Sequence, residues 1–366
     1  MRRVFRSVPY VRGPLLSLRE RDRWPAGALR LAHSCSALVY RQHGPHSDVV
    51  RMENMELPAV GHHCVRLKML AAPVNPADIN MVQGRYPILP PFPAIGGNEG
   101  LGEVVEVGSG ITSLNLGEWV IPVDAGFGTW RTGAVCDVDD LIRVPKDISL
   151  LGAATIGVNP CTAYRMLHDF VHLHPGDSII QNGANSAVGQ AVIQISAAMG
   201  LRTINVIRDR PNRHNVVEEL ESLGADYVIT EQALQGSEME AIFKNVPKPK
   251  LGLNCVGGQN GGLLLSHLDN GATLVTYGGM AKKPLPLPAK ALIFKNITLR
   301  GFWMTQWKRN NREDQTALQS MVDILSGLMR SGQLSAPPCV QVPFDTYRQA
   351  LQATMESHQK KHVLLM

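Results

Sequence analysis

The sequence predicts a two-domain α/β chain, in which a mostly β domain is followed by a doubly wound parallel sheet. Three observations carry this. At 366 residues the chain exceeds what one hydrophobic core usually serves. From Ser36 to about Asn159 it is rich in Val, Gly and Pro, and its short strand-like runs are stopped by Gly, Pro or Asn. After about Thr162 the rhythm changes to apolar strand, glycine turn and amphipathic helix.

In the first region the runs "HHCVRLKMLAAPVN", "GLGEVVEVG" and "GEWVIPV" have the spacing of a compact, mostly antiparallel barrel. In the second, "DSIIQNG" precedes a helix from about Val188 to Met199, and "RTINVI" precedes one from about Arg213 to Leu223. The runs "DYVIT", "LGLNCV", "ATLVTYGG" and "ITLRGFW" complete six strands. Strands that alternate with helices make a parallel sheet, because each parallel pair needs a crossover on the sheet's face. The last sixty or so residues offer a helix from about Asp314 to Ser331, the break "APPC" and a short helix at "YRQALQATM". That tail is too small for its own core and is expected to pack back on the first domain.

The net charge of +5 is an end effect. Residues 1–30 hold eight arginines against Glu20 and Asp22, which leaves 28 basic and 29 acidic side chains in the remainder. A neutral body gives no electrostatic footprint for nucleic acid. The arginine-rich, acid-poor start has the composition of a mitochondrial transit peptide, with a disordered basic tail as the alternative. Cleavage is expected near Ser34 to Leu38. No apolar run reaches the ~20 residues of a membrane span, so no membrane partner is expected. The six cysteines are scattered without a CxxC, as in a reducing compartment, and most are expected to be small buried groups.

The turn in "DSIIQNGANSAVGQ" lies between a strand and a helix, where a dinucleotide's pyrophosphate approaches backbone N–H groups. Against G-x-G-x-x-G it supplies Ala184, Ser186 and Gly189, so only the third glycine is literal. An αβ turn without ligand is the plain alternative. At the end of the second strand, "NVIRDRPNR" places Arg208 where an NAD site has an acid, with Arg210 and Arg213 beside it. Guanidinium groups chelate a 2′-phosphate, which favours NADPH. Asp209 keeps the ribose diol of NAD open, and a solvated charged turn is the bland reading. His168 and His172 have an i,i+4 spacing that suits a metal, but Pro175 and Gly176 end the helix and favour surface histidines.

The stretch from Ala71 to Gly110, "AAPVNPADINMVQGRYPILPPFPAIGGNEGLGEVVEVGSG", with "GEWVIPV", resembles the N-terminal domain of medium-chain dehydrogenase/reductases, and the likeness spans about Leu38 to Met366. The resemblance implies a GroES-like catalytic domain over residues 36–162, a Rossmann NADP-binding domain over 163–302 and a return to the catalytic domain over 303–366, after a leader of 1–35. Zinc members carry Cys and His where this chain has the segment Val74 to Asp78 and Asn98, so no zinc site is implied.

"INMVQGRYPILPPFPAIGGNEG" is similar to the corresponding stretch of mitochondrial trans-2-enoyl-thioester reductases, in which the Tyr matching Tyr86 is the proposed proton donor. A phenol stays protonated near neutral pH and can donate; a loop aromatic packed under prolines is the alternative. To Arg208, Asp209 and Arg210, read above from their place and charge, the same likeness adds cofactor contacts at Asn159, at Asn185, Ser186, Ala187 and Val188, at Tyr277, Gly278, Gly279 and Met280, at Phe302, Trp303 and Met304, and at Lys361, with Lys360 as substitute. Trp303 and Trp307 are candidate apolar walls for an acyl chain, or core aromatics. The family's activity is NADPH-dependent reduction of trans-2-enoyl thioesters on acyl carrier protein or CoA, the last step of a type II fatty-acid elongation cycle in the mitochondrial matrix. Homodimers are common among its relatives. A zinc-free quinone oxidoreductase and a non-catalytic NADPH-binding protein are the rival readings.

Overall fold

The computed structural model describes residues 33–355 and 360–366. The arginine-rich leader lies outside the described residues. The first described strand, Ser34–Tyr40, pairs antiparallel with Arg51–Glu56 and buries Cys35. The window Ser34 to Leu38 and the boundary at residue 35 therefore fall inside a paired strand, and a cut there would strip partners from Met52 to Glu56.

The long strand Cys64–Val74 organises the β region, pairing with Leu101–Val107 on one side. It also pairs with Gly133–Asp137 and, near its end, with the last strand of the chain, Lys361–Leu365. Cys339–Pro343 joins that last strand in parallel, so the tail enters the barrel sheet. Valine and leucine supply the buried face, including Val65, Leu67, Val104 and Val120.

The second layer is a six-stranded parallel sheet ordered Tyr227–Thr230, Arg202–Ile207, Ser178–Asn182, Leu251–Asn254, Thr273–Thr276 and Thr298–Gly301. Numbered along the chain this is 3-2-1-4-5-6, which reverses direction between the first and fourth strands and opens a crevice at their carboxyl ends. Ser178–Asn182 and Leu251–Asn254 are buried throughout, as strands covered on both faces must be. At the reversal, Asn182 Oδ1 accepts from Cys255 N and Val256 N, while its Nδ2 donates to Asn254 and Asn260. That hydrogen-bonded set spans the reversal, and only the Asn260 Nδ2 within it lacks a partner among the described residues.

The helices lie where the pattern placed them. They run over Ala187–Ala198, Arg213–Ser222 and Gln315–Arg330, the last capped by Asp314, whose side chain accepts from Ala317 N. The helix Asn159–His168 ends before His172, so the i,i+4 histidine pair does not share a helix. Cysteine burial departs from expectation: Cys35 and Cys161 are buried, while the other four are half-buried, and all six are free. Among the described residues no helix is long and apolar enough to cross a membrane.

Candidate active site

The pyrophosphate-type turn gains its shape from a glycine that the motif skipped. Gly183, at φ +63°, turns the chain out of its strand; a Cβ on Gly189 would lie 2.4 Å from the Ala184 carbonyl oxygen. Neither place admits a side chain without strain. Ser186 caps the following helix, its Oγ accepting from Gly189 N at 3.1 Å. The helix N-terminus thus faces outward as an anion site built of backbone N–H groups.

Arg208, Asp209 and Arg210 follow directly on Arg202–Ile207. Burial lowers the pKa of Arg210, and the nearby charge of Arg208 lowers it further, so the two guanidinium groups are close enough to repel. Asp209 faces Arg213 at 3.5 Å across an exposed turn. Gly278, Gly279 and Met280 leave the fifth parallel strand, and a Cβ on Gly278 would meet the Cys255 carbonyl oxygen at 2.5 Å. These residues with Asn185 and Ala187 string out along the carboxyl edge of the sheet rather than in one cleft.

A cleft does lie between the sheet's edge and the β region. Tyr86, Val188, Tyr277, Phe302, Trp303 and Met304 line it, together with Asn75, Asp78, Asn98, Thr162 and Lys308, which sequence reasoning had not singled out as site residues. Trp303 Nε1 donates to Tyr86 Oη at 2.9 Å, with the rings edge to face. The phenol's oxygen is therefore engaged by the indole, and Thr305 is a second hydrogen-bonding neighbour of the phenol. Burial pushes the Tyr86 phenol above its ordinary pKa, against the Trp303 hydrogen bond, which pulls it down. Trp307 does not line the cleft; its ring lies under the Arg165 guanidinium at 4.4 Å.

A polar knot forms part of the cleft's wall, through Asn75, Asp78 and Asn98, and continues behind it. Asn75 opens the helix Pro76–Val82, and Asp78 at its third position accepts from Asn75 N at 2.7 Å. Asp78 also accepts from Asn98 N and Asn98 Nδ2. Glu99 accepts from Asn75 Nδ2 at 2.9 Å and from Val158 N at 2.9 Å. Lys361 hydrogen-bonds Asn75 Oδ1 and lies 3.8 Å from Glu99, so its ammonium is spent inside the knot rather than in the cleft. Lys360 is exposed. Asn159 is buried, and its Nδ2 has no hydrogen-bond partner among the described residues. Among those residues no group of three His, Cys, Asp or Glu is placed to hold a metal. His172 and His174 touch edge to face, at 4.6 Å between centroids, outside the cleft.

Comparison with known proteins agrees with this division. The alcohol dehydrogenase GroES-like domain family matches residues 61–146, and the zinc-binding dehydrogenase family matches residues 187–323. The chain is 56% identical over 331 residues to the mitochondrial enoyl-(acyl-carrier-protein) reductase of Homo sapiens, covering 90% of this chain and 88% of that protein. A structure of the Etr1p/NADP/crotonyl-CoA complex superposes with a TM-score of 0.85 at 36% identity, covering 91% of this chain and 100% of that one. The mitochondrial 2-enoyl thioester reductase Etr1p/Etr2p heterodimer from Candida tropicalis gives 0.84 at 36% identity, with the same coverage.

The knot makes a pH-dependence testable. Burial pushes the Asp78 carboxyl from 3.8 to about 7, opposed by the Asn75 backbone N–H and reinforced by the charge of Glu99. A folded-state pKa raised above the unfolded one means that the folded chain binds the proton more tightly, so this contribution to stability is full below about pH 4 and is lost as pH rises through about 7. Asp78→Asn should flatten the fall of the thermal unfolding midpoint across that window. An unchanged slope would show that Asp78 ionises freely in the folded protein.

Proposed function

The chain belongs to the mitochondrial enoyl-(acyl-carrier-protein) reductase family, and from that premise we propose that it reduces the double bond of trans-2-enoyl thioesters with NADPH in the mitochondrion. The observation that carries the reading is the Tyr86–Trp303 pair in the cleft beside the sheet's carboxyl edge.

The residues present fit the dinucleotide. The tight Gly183 to Gly189 turn lets a pyrophosphate reach backbone N–H groups, and the buried Asn159 Nδ2 still needs an acceptor. The mutually repelling Arg208 and Arg210 gain from a 2′-phosphate placed between them. When bound, NADPH supplies the hydride that adds to the β-carbon. The π electrons of the double bond then shift toward the α-carbon and the thioester oxygen, forming an enolate. Tyr86 delivers its proton to the α-carbon, and the carbonyl re-forms. The indole N–H of Trp303 stabilises the phenolate left behind, as a hydrogen bond to the charged form does. Because burial raises its pKa, Tyr86 is protonated at neutral pH and ready to donate.

We also propose a homodimer that pairs through the sheet's edge strand Thr298–Gly301. That strand is exposed at three of its four residues, and the exposed Leu292, Ile293 and Phe294 precede it. An unpaired edge beside apolar side chains is a surface that association covers. Light scattering at micromolar concentration should return twice the chain mass; a monomeric mass would remove this assembly.

Tyr86→Phe should cut turnover of crotonyl-CoA by roughly 10²- to 10⁴-fold, the usual worth of a general acid, with NADPH still bound. Steady turnover by the variant would rule out Tyr86 as the proton donor. Replacing Arg208 and Arg210 together with neutral residues should weaken NADPH by at least about tenfold and leave NADH nearly unchanged, since only the former has a phosphate to lose. The loss should shrink in high salt, where exposed charges are screened. Equal losses for both cofactors would show that the turn does not read the phosphate.

A further inference from the structure

Lys308 lies in the short helix Met304–Asn310, five residues after Trp303, and is 6% exposed although charged. It lines the same cleft as Tyr86 and Trp303. A buried ammonium pays a large desolvation cost unless oxygens satisfy it. Among the described residues no hydrogen bond or ion pair engages its Nζ. The neighbouring carboxylate, Glu99, is already supplied: Asn75 and Val158 donate to its two oxygens, and Lys361 is its ion partner at 3.8 Å.

The place of the Lys308 ammonium is fixed by a bare stretch of backbone. A Cβ on Gly157 would stand 3.9 Å from Lys308 Nζ and 4.0 Å from Glu99 Oε1, and Gly157 itself lines the cleft. Lys308 also opposes the rise that burial imposes on the Cys161 thiol, so its charge is felt at the start of the helix Asn159–His168. The cleft therefore has a donor on each of two sides, the phenol of Tyr86 held by Trp303 and the ammonium of Lys308 beside Gly157. Only the first has a hydrogen-bond partner in the protein; the second feels the charge of Glu99 without bonding to it.

We propose that Lys308 is a second catalytic group, whose ammonium binds the acyl carbonyl oxygen of the thioester and stabilises the negative charge gathered there when hydride reaches the β-carbon. The role rests on the enoyl-thioester reading above. The electron balance leaves Lys308 unchanged. Two electrons arrive with the hydride, the π pair moves to make the enolate, and the proton that restores the carbonyl comes to the α-carbon from Tyr86. Lys308 lends charge and hydrogen bonds throughout and transfers no atom. A preformed cation at that oxygen works because the site excludes water and the charge develops mainly in the transition state. It also explains why a lysine is buried without a protein acceptor: the acceptor is the substrate.

The test compares full-length wild type with Lys308→Met and Lys308→Arg, using NADPH and crotonyl-CoA. In the Met variant kcat should fall roughly 10²-fold, as for loss of an oxyanion donor. The KM for NADPH should stay within about twofold, and the isotope effect from 4-deuterated NADPH should rise as hydride transfer becomes slower. Arg should restore much of kcat. A Met variant that turns over like wild type overturns the role, and so does a fall in kcat matched by lost NADPH binding and a lowered unfolding midpoint that Arg does not repair. Failure of wild type to oxidise NADPH with crotonyl-CoA would sink the functional reading itself, and this role with it.

Discussion

Two buried carboxylates, Asp78 in the cleft's wall and Glu99 behind it, set the terms for the rest of the site. Asp78 and Glu99 are 1% and 3% exposed, and both are pushed by burial toward their neutral forms. Their donors come from four separate parts of the chain: Asn75 at a helix start, Asn98 in a glycine-rich loop, Val158 at the entrance to the helix Asn159–His168, and Lys361 in the last strand. Removing one partner of such a buried pair typically costs about 3–5 kcal/mol, because the other charge stays behind. The knot therefore ties the barrel, the tail and the first residues of the parallel-sheet region to one point. The tail's antiparallel pairing with Cys64–Val74 is what delivers Lys361 to it.

The cleft built on that point is electrically uneven. Its β side presents a phenol whose oxygen accepts from an indole N–H, and its other wall presents an ammonium against bare glycine backbone. Farther along the sheet's carboxyl edge, the exposed Arg208, the partly buried Arg210 and the helix N-terminus that Ser186 caps form a third region of positive charge. Apolar Val188, Phe302 and Met304 line the cleft beside these polar groups.

Much of this was legible before any coordinates. Parallel strands buried on both faces must read as continuous apolar runs, and "RTINVI" coincides with Arg202–Ile207. Asp314 announced its helix because an N-cap acts locally. What stayed hidden depends on distant contacts. Gly183 shapes the dinucleotide turn but lies one residue before the motif's frame, and only its positive φ reveals it. Lys308 in "QWKRNN" reads as an ordinary polar helix end, since nothing within the helix tells that its side chain turns inward. Lys361 was marked through resemblance, yet its partners, Asn75 and Glu99, are more than 250 residues away. The half-buried Cys64, Cys136, Cys255 and Cys339 were misjudged for the same reason, because burial at strand ends and in loops is set by distant neighbours.

The hydrogen bond between Trp303 and Tyr86 joins residues 217 positions apart. Contacts of that separation close late, after the loop between them has been ordered. The parallel sheet's pairings are long-range too, but shorter: Leu251 meets Ile179 across 72 residues. A nascent chain with its sheet assembled and its barrel unfinished would already possess the glycine turn and the arginines, yet would have no aligned acid in reach. On the function proposed above, such a molecule would wait for Tyr86 and Trp303 to meet before it could act, so immaturity would mean silence rather than promiscuity.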